Sequence, residues 1–212
     1  MNDAIQSPPA GLAPAMALAL SANFGSVAQW RESFLALAQG HADRGGRLDL
    51  VFAPRAGTLR NRWRATASDA DATTLLALPL PADAPAFVDA IDWPLAYERY
   101  QHAVHAASVP FAAAHADLAG ALVLDVRRAG VFAAASTMLP GAAWRDPVAV
   151  AEWSAQLPAD REVIVYCVYG HEVGRATAMR LRARGLNARY LEGGIDAWQR
   201  DGQPTVPKGE AS

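Results

Sequence analysis

The sequence predicts an α/β domain with a parallel sheet over residues 107–212, preceded by a small α+β module over residues 1–106. In the second half the short apolar runs ALVLDV (121–126), EVIVYC (162–167) and ARYLEG (188–193) alternate with helix-like segments. Strands covered on both faces have this continuous apolar character, and helices between them imply parallel pairing. The first half has a different rhythm: a helical stripe, two segments alternating apolar with polar residues, and a second helical stripe. A hydrophobic fraction of 52% over 212 residues is ample for a core in each half.

Taken in order, GLAPAMALAL (11–20) reads as a buried helix. It contains Pro14 and is about half the roughly 20 residues that a spanning helix needs. Asp3 precedes it and nothing basic does, so the charged region of a signal peptide is missing, which predicts a cytoplasmic protein without a membrane partner. Phe24, Val27, Trp30, Phe34 and Leu37 then follow at helical spacing. GHADRGG interrupts the pattern, and RLDLVFAP and TLRNRWRATAS alternate as half-buried antiparallel strands do. TLLALPLPADAP ends in prolines, which neither a helix nor a central strand absorbs. AFVDAIDWPLAYERYQHAVHAAS returns to helical spacing, broken at Pro94, and the boundary between halves falls near residues 106–112. Further on, DPVAVAEWSAQL opens a helix with Asp146 as cap and Pro147 as first residue, GRATAMRLRARG closes one at Gly185, and the last ten residues read as frayed.

Nineteen Lys and Arg against twenty-one Asp and Glu give a net charge of −2, so no basic excess points to nucleic acid or an anionic membrane. Trp30, Trp63, Trp93, Tyr97 and Tyr100 accordingly read as core and interface aromatics rather than a base-stacking platform. Cys167 is the only cysteine and has no internal disulfide partner. It is either a small buried hydrophobe or a reactive thiol.

The stretch VIVYCVYGHEVGRA (163–176) places Cys167 at the end of a strand-like run and before a helix. In parallel α/β sheets ligands bind at that end of the strands. Gly170 is free to take a positive φ, so the loop can turn backbone N–H groups toward the sulfur at the positive end of the next helix. Such donors bring a thiol from a pKa of about 8.5 to roughly 3.5–7.5, which makes it a nucleophile.

Cys167, Gly170 and Glu172 occupy the first, fourth and sixth places of a loop that resembles the active loop of the rhodanese (sulfurtransferase) family. The resemblance extends to Asp125-Val126-Arg127, to the Pro-Gly-Ala turn at Pro140 to Ala142, and to a closing signature through Gly193, Gly194, Ala197, Trp198, Gly202 and Pro204. It implies a rhodanese-like sulfurtransferase in which Cys167 takes sulfane sulfur from a small donor and passes the persulfide sulfur to a thiol acceptor, without a cofactor. His171 and Glu172 would join Cys167 in catalysis. Val168, Tyr169, Gly170, Val173, Gly174 and Arg175 would surround the substrate, with Asp125 and Arg127 as structural support.

Two departures count against thiosulfate as the natural donor. Val168 stands where the family usually carries a basic residue, and Glu172 adds a negative charge whose repulsion costs on the order of 1–4 kcal/mol. His171 can offset that charge, pair with Glu172, act as acid or base, or merely face water. Arg175 either faces the site or lies on a solvated helix face. The competing reading is a non-catalytic redox sensor or binding module.

FGSVAQWRESFLALAQG, LDLVFAP, LLAL and FVDAIDW resemble the C-terminal domain of iron/manganese superoxide dismutases, over roughly residues 8–103. The metal ligands of that family are missing: Asp83 has no His four residues later, and no helical hairpin precedes residue 10. A degenerate module is expected, serving as scaffold, docking surface or homodimer contact, with no metal. His102 and His105, three apart, with His41 or His115 from elsewhere, are a weak metal signal. Fusions of these two families suggest oxidative or chromate stress as the setting.

Overall fold

In the computed structural model, which describes residues 9–66 and 71–208, Pro14 starts helix α1 (Pro14–Phe24), its fixed φ suiting the first helical position. Gly25, at φ +90°, stops it, and Ser26 accepts from the Gln29 N–H at 3.0 Å to cap α2 (Val27–Gly40). The single stripe expected from Phe24 to Leu37 is therefore two helices. Its periodicity survives the break because Trp30 and Phe34 of α2 enter the same core as Met16 and Leu20 of α1.

Strands β1 (Gly46–Ala53), β2 (Thr58–Arg64) and β3 (Thr73–Leu80) form an antiparallel sheet in the order β2-β1-β3. Pro79 is tolerated within β3 because that strand is an edge. Helices α3 (Ala84–Asp89) and α4 (Trp93–Ser108) follow, each capped by an aspartate: Asp83 accepts from Ala86 N–H and Asp92 from Leu95 N–H. The interruption at Pro94 is thus the start of α4, not a kink.

The second half runs β4 (Ala112–Ala113), β5 (Leu122–Asp125), α5 (Ala129–Ala134), β6 (Thr137–Met138), β7 (Ala143–Trp144), α6 (Val150–Trp153), β8 (Val163–Tyr166), α7 (Glu172–Arg182), β9 (Ala188–Leu191), α8 (Gly194–Arg200) and β10 (Val206–Pro207). Its main sheet is parallel throughout, in the order β4-β9-β8-β5-β7, with β8 in the middle. One face packs Val163, Val165 and Leu124 against Ala178 and Leu181 of α7; the other packs Ile164, Tyr166 and Leu191 against Ile195 of α8. Two expectations fail here. The helix predicted over DPVAVAEWSAQL is a four-residue α6 between two 3-10 turns, with the Trp153 indole N–H folded back onto Asp146 O at 2.8 Å. The last residues are also less frayed than expected, since β10 pairs with β6 and Lys208 Nζ donates to Phe132 O and Ala133 O; residues 209–212 lie outside the described residues.

The two halves meet along α7. Ala176 and Met179 on that helix belong to the same core as Trp30, Phe34 and Val104 of the first half. Gly57 makes the approach close: a Cβ there would lie 2.7 Å from Met179 Cβ. Arg180, nearly buried, donates to Ala22 O at the end of α1 at 2.9 Å. Among the described residues no helix is long and apolar enough to cross a membrane.

Candidate active site

Strand β8 has neighbours on both sides, so Val163 to Tyr166 are sealed and Cys167 emerges at the carboxyl end with 6% of its surface exposed. The loop turns at Gly170, φ +66°, which abuts the backbone of the next strand-to-helix turn: a Cβ would come within 2.6 Å of Gly193 N. Gly194 answers it, since a Cβ there would strike Cys167 O and Val168 O, both at 2.5 Å. Ile195 N–H donates to Cys167 O at 3.1 Å and Asp196 N–H to Val168 O at 2.9 Å. With the loop carbonyls held by α8, the N–H groups of Gly170, His171 and Gly174 are left to bond the Cys167 sulfur.

These donors do not produce the depressed thiol expected from the sequence. Burial pushes the Cys167 thiol above its ordinary value, the Gly174, His171 and Gly170 N–H groups pull it back, and the Glu172 charge adds to the rise. The nest that holds the sulfur also removes it from water, and desolvation is the larger effect.

Glu172 opens α7 but does not pair with His171. Its carboxylate is turned toward α4, where Tyr97 Oη donates to Oε1 at 2.7 Å and Gln101 Nε2 to Oε2 at 3.4 Å. His171 is exposed, its ring 5.7 Å from that of Tyr169. Arg175 is neither in the site nor on a solvated face. It is buried, donates through Nε to Gly170 O at 2.7 Å and through Nη1 to Ser108 Oγ at 3.1 Å, and lies 4.3 Å over the Tyr190 ring.

Asp125, fully buried at the end of β5, accepts from Arg127 Nε at 2.8 Å and from Tyr166 Oη at 2.9 Å. Arg127 continues to Thr137 O at 2.9 Å, so this pair ties the sheet end to β6.

A cavity of about 340 Å³ opens in front of Cys167. Val168, Tyr169, His171, Glu172 and Val173 line its loop side. Gly170, Gly174 and Arg175, expected to surround the substrate, do not line it; the two glycines face the sulfur through backbone N–H and Arg175 braces the loop from behind. Of the lining residues that were not expected, three bear on the chemistry of the site. Arg128 brings a half-buried cation with no ion-pair partner among the described residues, and Pro14 and Tyr97 form a wall from the first half. The Arg127-Arg128 doublet was a usable signal, because Asp125 can neutralise only one of the two.

No group of three or more His, Cys, Asp or Glu among the described residues is placed to hold a metal. His102 and His105 are exposed on α4, His41 stacks on Trp63 at 4.4 Å, and His115 packs against Trp198 at 5.0 Å.

Residues 108–201 match the family model described as the rhodanese-like domain. This part of the chain is a rhodanese-like domain. Among solved structures, a rhodanese-related protein from Thermoplasma volcanium is similar over 45% of this chain and 96% of its own, at 27% identity and a TM-score of 0.40. A rhodanese-like domain protein from Staphylococcus aureus aligns with 41% of this chain and 89% of its own, at 19% identity and a TM-score of 0.37. A protein of unknown function from Rhodopseudomonas palustris, described as a possible tyrosine phosphatase, aligns with 51% and 92% of the two chains at 18% identity and a TM-score of 0.43. No curated protein matches the sequence. The rhodanese-like domain thus accounts for the Cys167 loop, the Asp125–Arg127 pair and α8, whereas Tyr97 and Pro14 lie outside it.

Proposed function

We propose that the protein is a sulfurtransferase in which Cys167 accepts a sulfane sulfur from a small organic donor and delivers it to a thiol. The convergence of three backbone N–H groups on a thiol at the end of the central strand carries this reading. With a persulfide donor, Sγ attacks the outer sulfur; an Sγ–S bond forms, the donor S–S bond breaks, and its electron pair leaves on the donor thiolate, which takes up the Cys167 proton. An acceptor thiolate then attacks the outer sulfur of the Cys167 persulfide and releases Sγ, a two-step displacement of ping-pong form. The N–H nest is suited to the persulfide anion between the steps.

The charge around the cavity supports a donor whose reacting end carries fewer than two negative charges. Val168 supplies no cation in the loop and Glu172 is acidic, leaving Arg128 at the side. The competing reading is a redox sensor, which faster reaction of Cys167 with peroxide than with any sulfur donor would favour. For the first half we propose a degenerate superoxide dismutase-like scaffold: two helices, a three-stranded antiparallel sheet and two further helices are compatible with the helix–sheet–helix order of the resemblance, and Asp83 serves as the cap of α3. Oxidative or oxyanion stress as the setting rests on analogy of fold alone.

Intact mass spectrometry tests the reading. Wild type incubated with glutathione persulfide should gain one sulfur atom that cyanide removes as thiocyanate, more readily than with dianionic thiosulfate, and Cys167→Ala should gain none. A wild type that no donor loads would overturn it.

A further inference from the structure

One contact that reaches the sulfur site from outside the rhodanese-like domain is a pair of donors on α4. Tyr97 and Gln101 are four residues apart and so share one helix face. Both bond the same carboxylate, Tyr97 Oη at 2.7 Å from Oε1 and Gln101 Nε2 at 3.4 Å from Oε2 of Glu172. Glu172 is 8% exposed and borders the Cys167 cavity, as does Tyr97 itself. Burial, then the neighbouring carboxylate, pushes the Tyr97 hydroxyl well above its ordinary range, so it remains a donor at any working pH.

Resting on the reading of Cys167 as the reacting group, we propose that Tyr97 is a positioning residue for the sulfur site: it holds the Glu172 carboxylate against α4 and so keeps the cavity open to an anionic donor. A carboxylate this buried, deprived of its donor, must find water or another partner. The nearest roomy space is the cavity in front of Cys167, where the freed charge would stand in the path of the incoming ligand. Specificity for the charge of the donor is then set partly by a residue of the first half, 75 positions away in sequence.

The test compares alkylation of Cys167 in the full-length protein by neutral iodoacetamide and by anionic iodoacetate, followed by intact mass. In Tyr97→Phe the ratio of iodoacetate to iodoacetamide rates should fall by about threefold or more, a coupling of ordinary size for groups in contact. Gln101→Leu should move it the same way by less, and it carries the test if the tyrosine variant misfolds. Glu172→Gln should raise the ratio, and adding Tyr97→Phe to Glu172→Gln should change nothing further. An unchanged ratio in Tyr97→Phe and Gln101→Leu, or an equal fall with and without Glu172, overturns the proposal and leaves Tyr97 a packing residue. Because alkylation needs no sulfur transfer, a protein that shows the charge effect but takes no sulfur from a persulfide would overturn the sulfurtransferase reading alone.

Discussion

Cys167 is held by hydrogen bonds that favour its anion and by burial that opposes it, with burial the stronger. A group whose pKa is raised binds its proton to higher pH, so the thiolate fraction at neutrality is below that of a free cysteine. Iodoacetamide should therefore alkylate Cys167 at a rate that still climbs with pH past the ordinary thiol value of about 8.5. Glu172→Gln removes the charge that adds to the rise and should move the whole profile toward lower pH; a wild-type plateau below pH 8 would contradict the assignment. At this scale the sequence was most legible where partners are close in the chain. Cys167, Gly170 and the Asp125–Arg127 pair were readable from short spacings, and the structure brings them to one end of the sheet. The partners of Glu172 and Arg175 were not, because Tyr97 and Ser108 belong to a helix that only tertiary packing carries to them.

Between residue and molecule, the Cys167 loop owes its shape to the turn into α8. Gly170 and Gly194 are back to back, and neither place leaves room for a side chain. Gly194→Ala would combine a Cβ 2.5 Å from two loop carbonyls with a positive φ of 60° that an L side chain rarely adopts. We predict a loss of about 2–4 kcal/mol, seen as a Tm lower by roughly 5–15 °C in a chain of this size, together with slower alkylation of Cys167; an unchanged Tm would show that the turn yields. Strands and their order of appearance were largely legible, since β8 is an unbroken, fully buried apolar run and β5 and β9 are mostly buried, interrupted only by Asp125 at the end of β5 and Arg189 within β9. Helix limits were less so. Gly25 and Ser26 split a continuous stripe because a cap acts on the backbone without disturbing the side-chain pattern, and the winding around α6 is decided by the Trp153 contact with Asp146.

Across the whole molecule, the helix that begins at the sulfur also completes the core of the other half. Met179 is 2% exposed and contributes to the cluster containing Trp30, Phe34 and Val104 although it lies within the rhodanese-like domain. Met179→Ala should cost about 2–5 kcal/mol and lower a single calorimetric transition that both halves share; two separate transitions, only one of them moved, would show that the halves unfold independently. The sequence indicated two modules but held no local sign of this joint, because Ala176 and Met179 look like any apolar pair on an amphipathic helix. The shared helix has a practical consequence for anyone dissecting the protein. Cutting the chain at the junction would strip Glu172 of both its donors and bare the apolar side of α7 to solvent. Thiol reactivity measured on such a fragment would describe a different site, one with a misplaced charge and a tendency to aggregate, so the halves are best probed by point substitution in the intact chain.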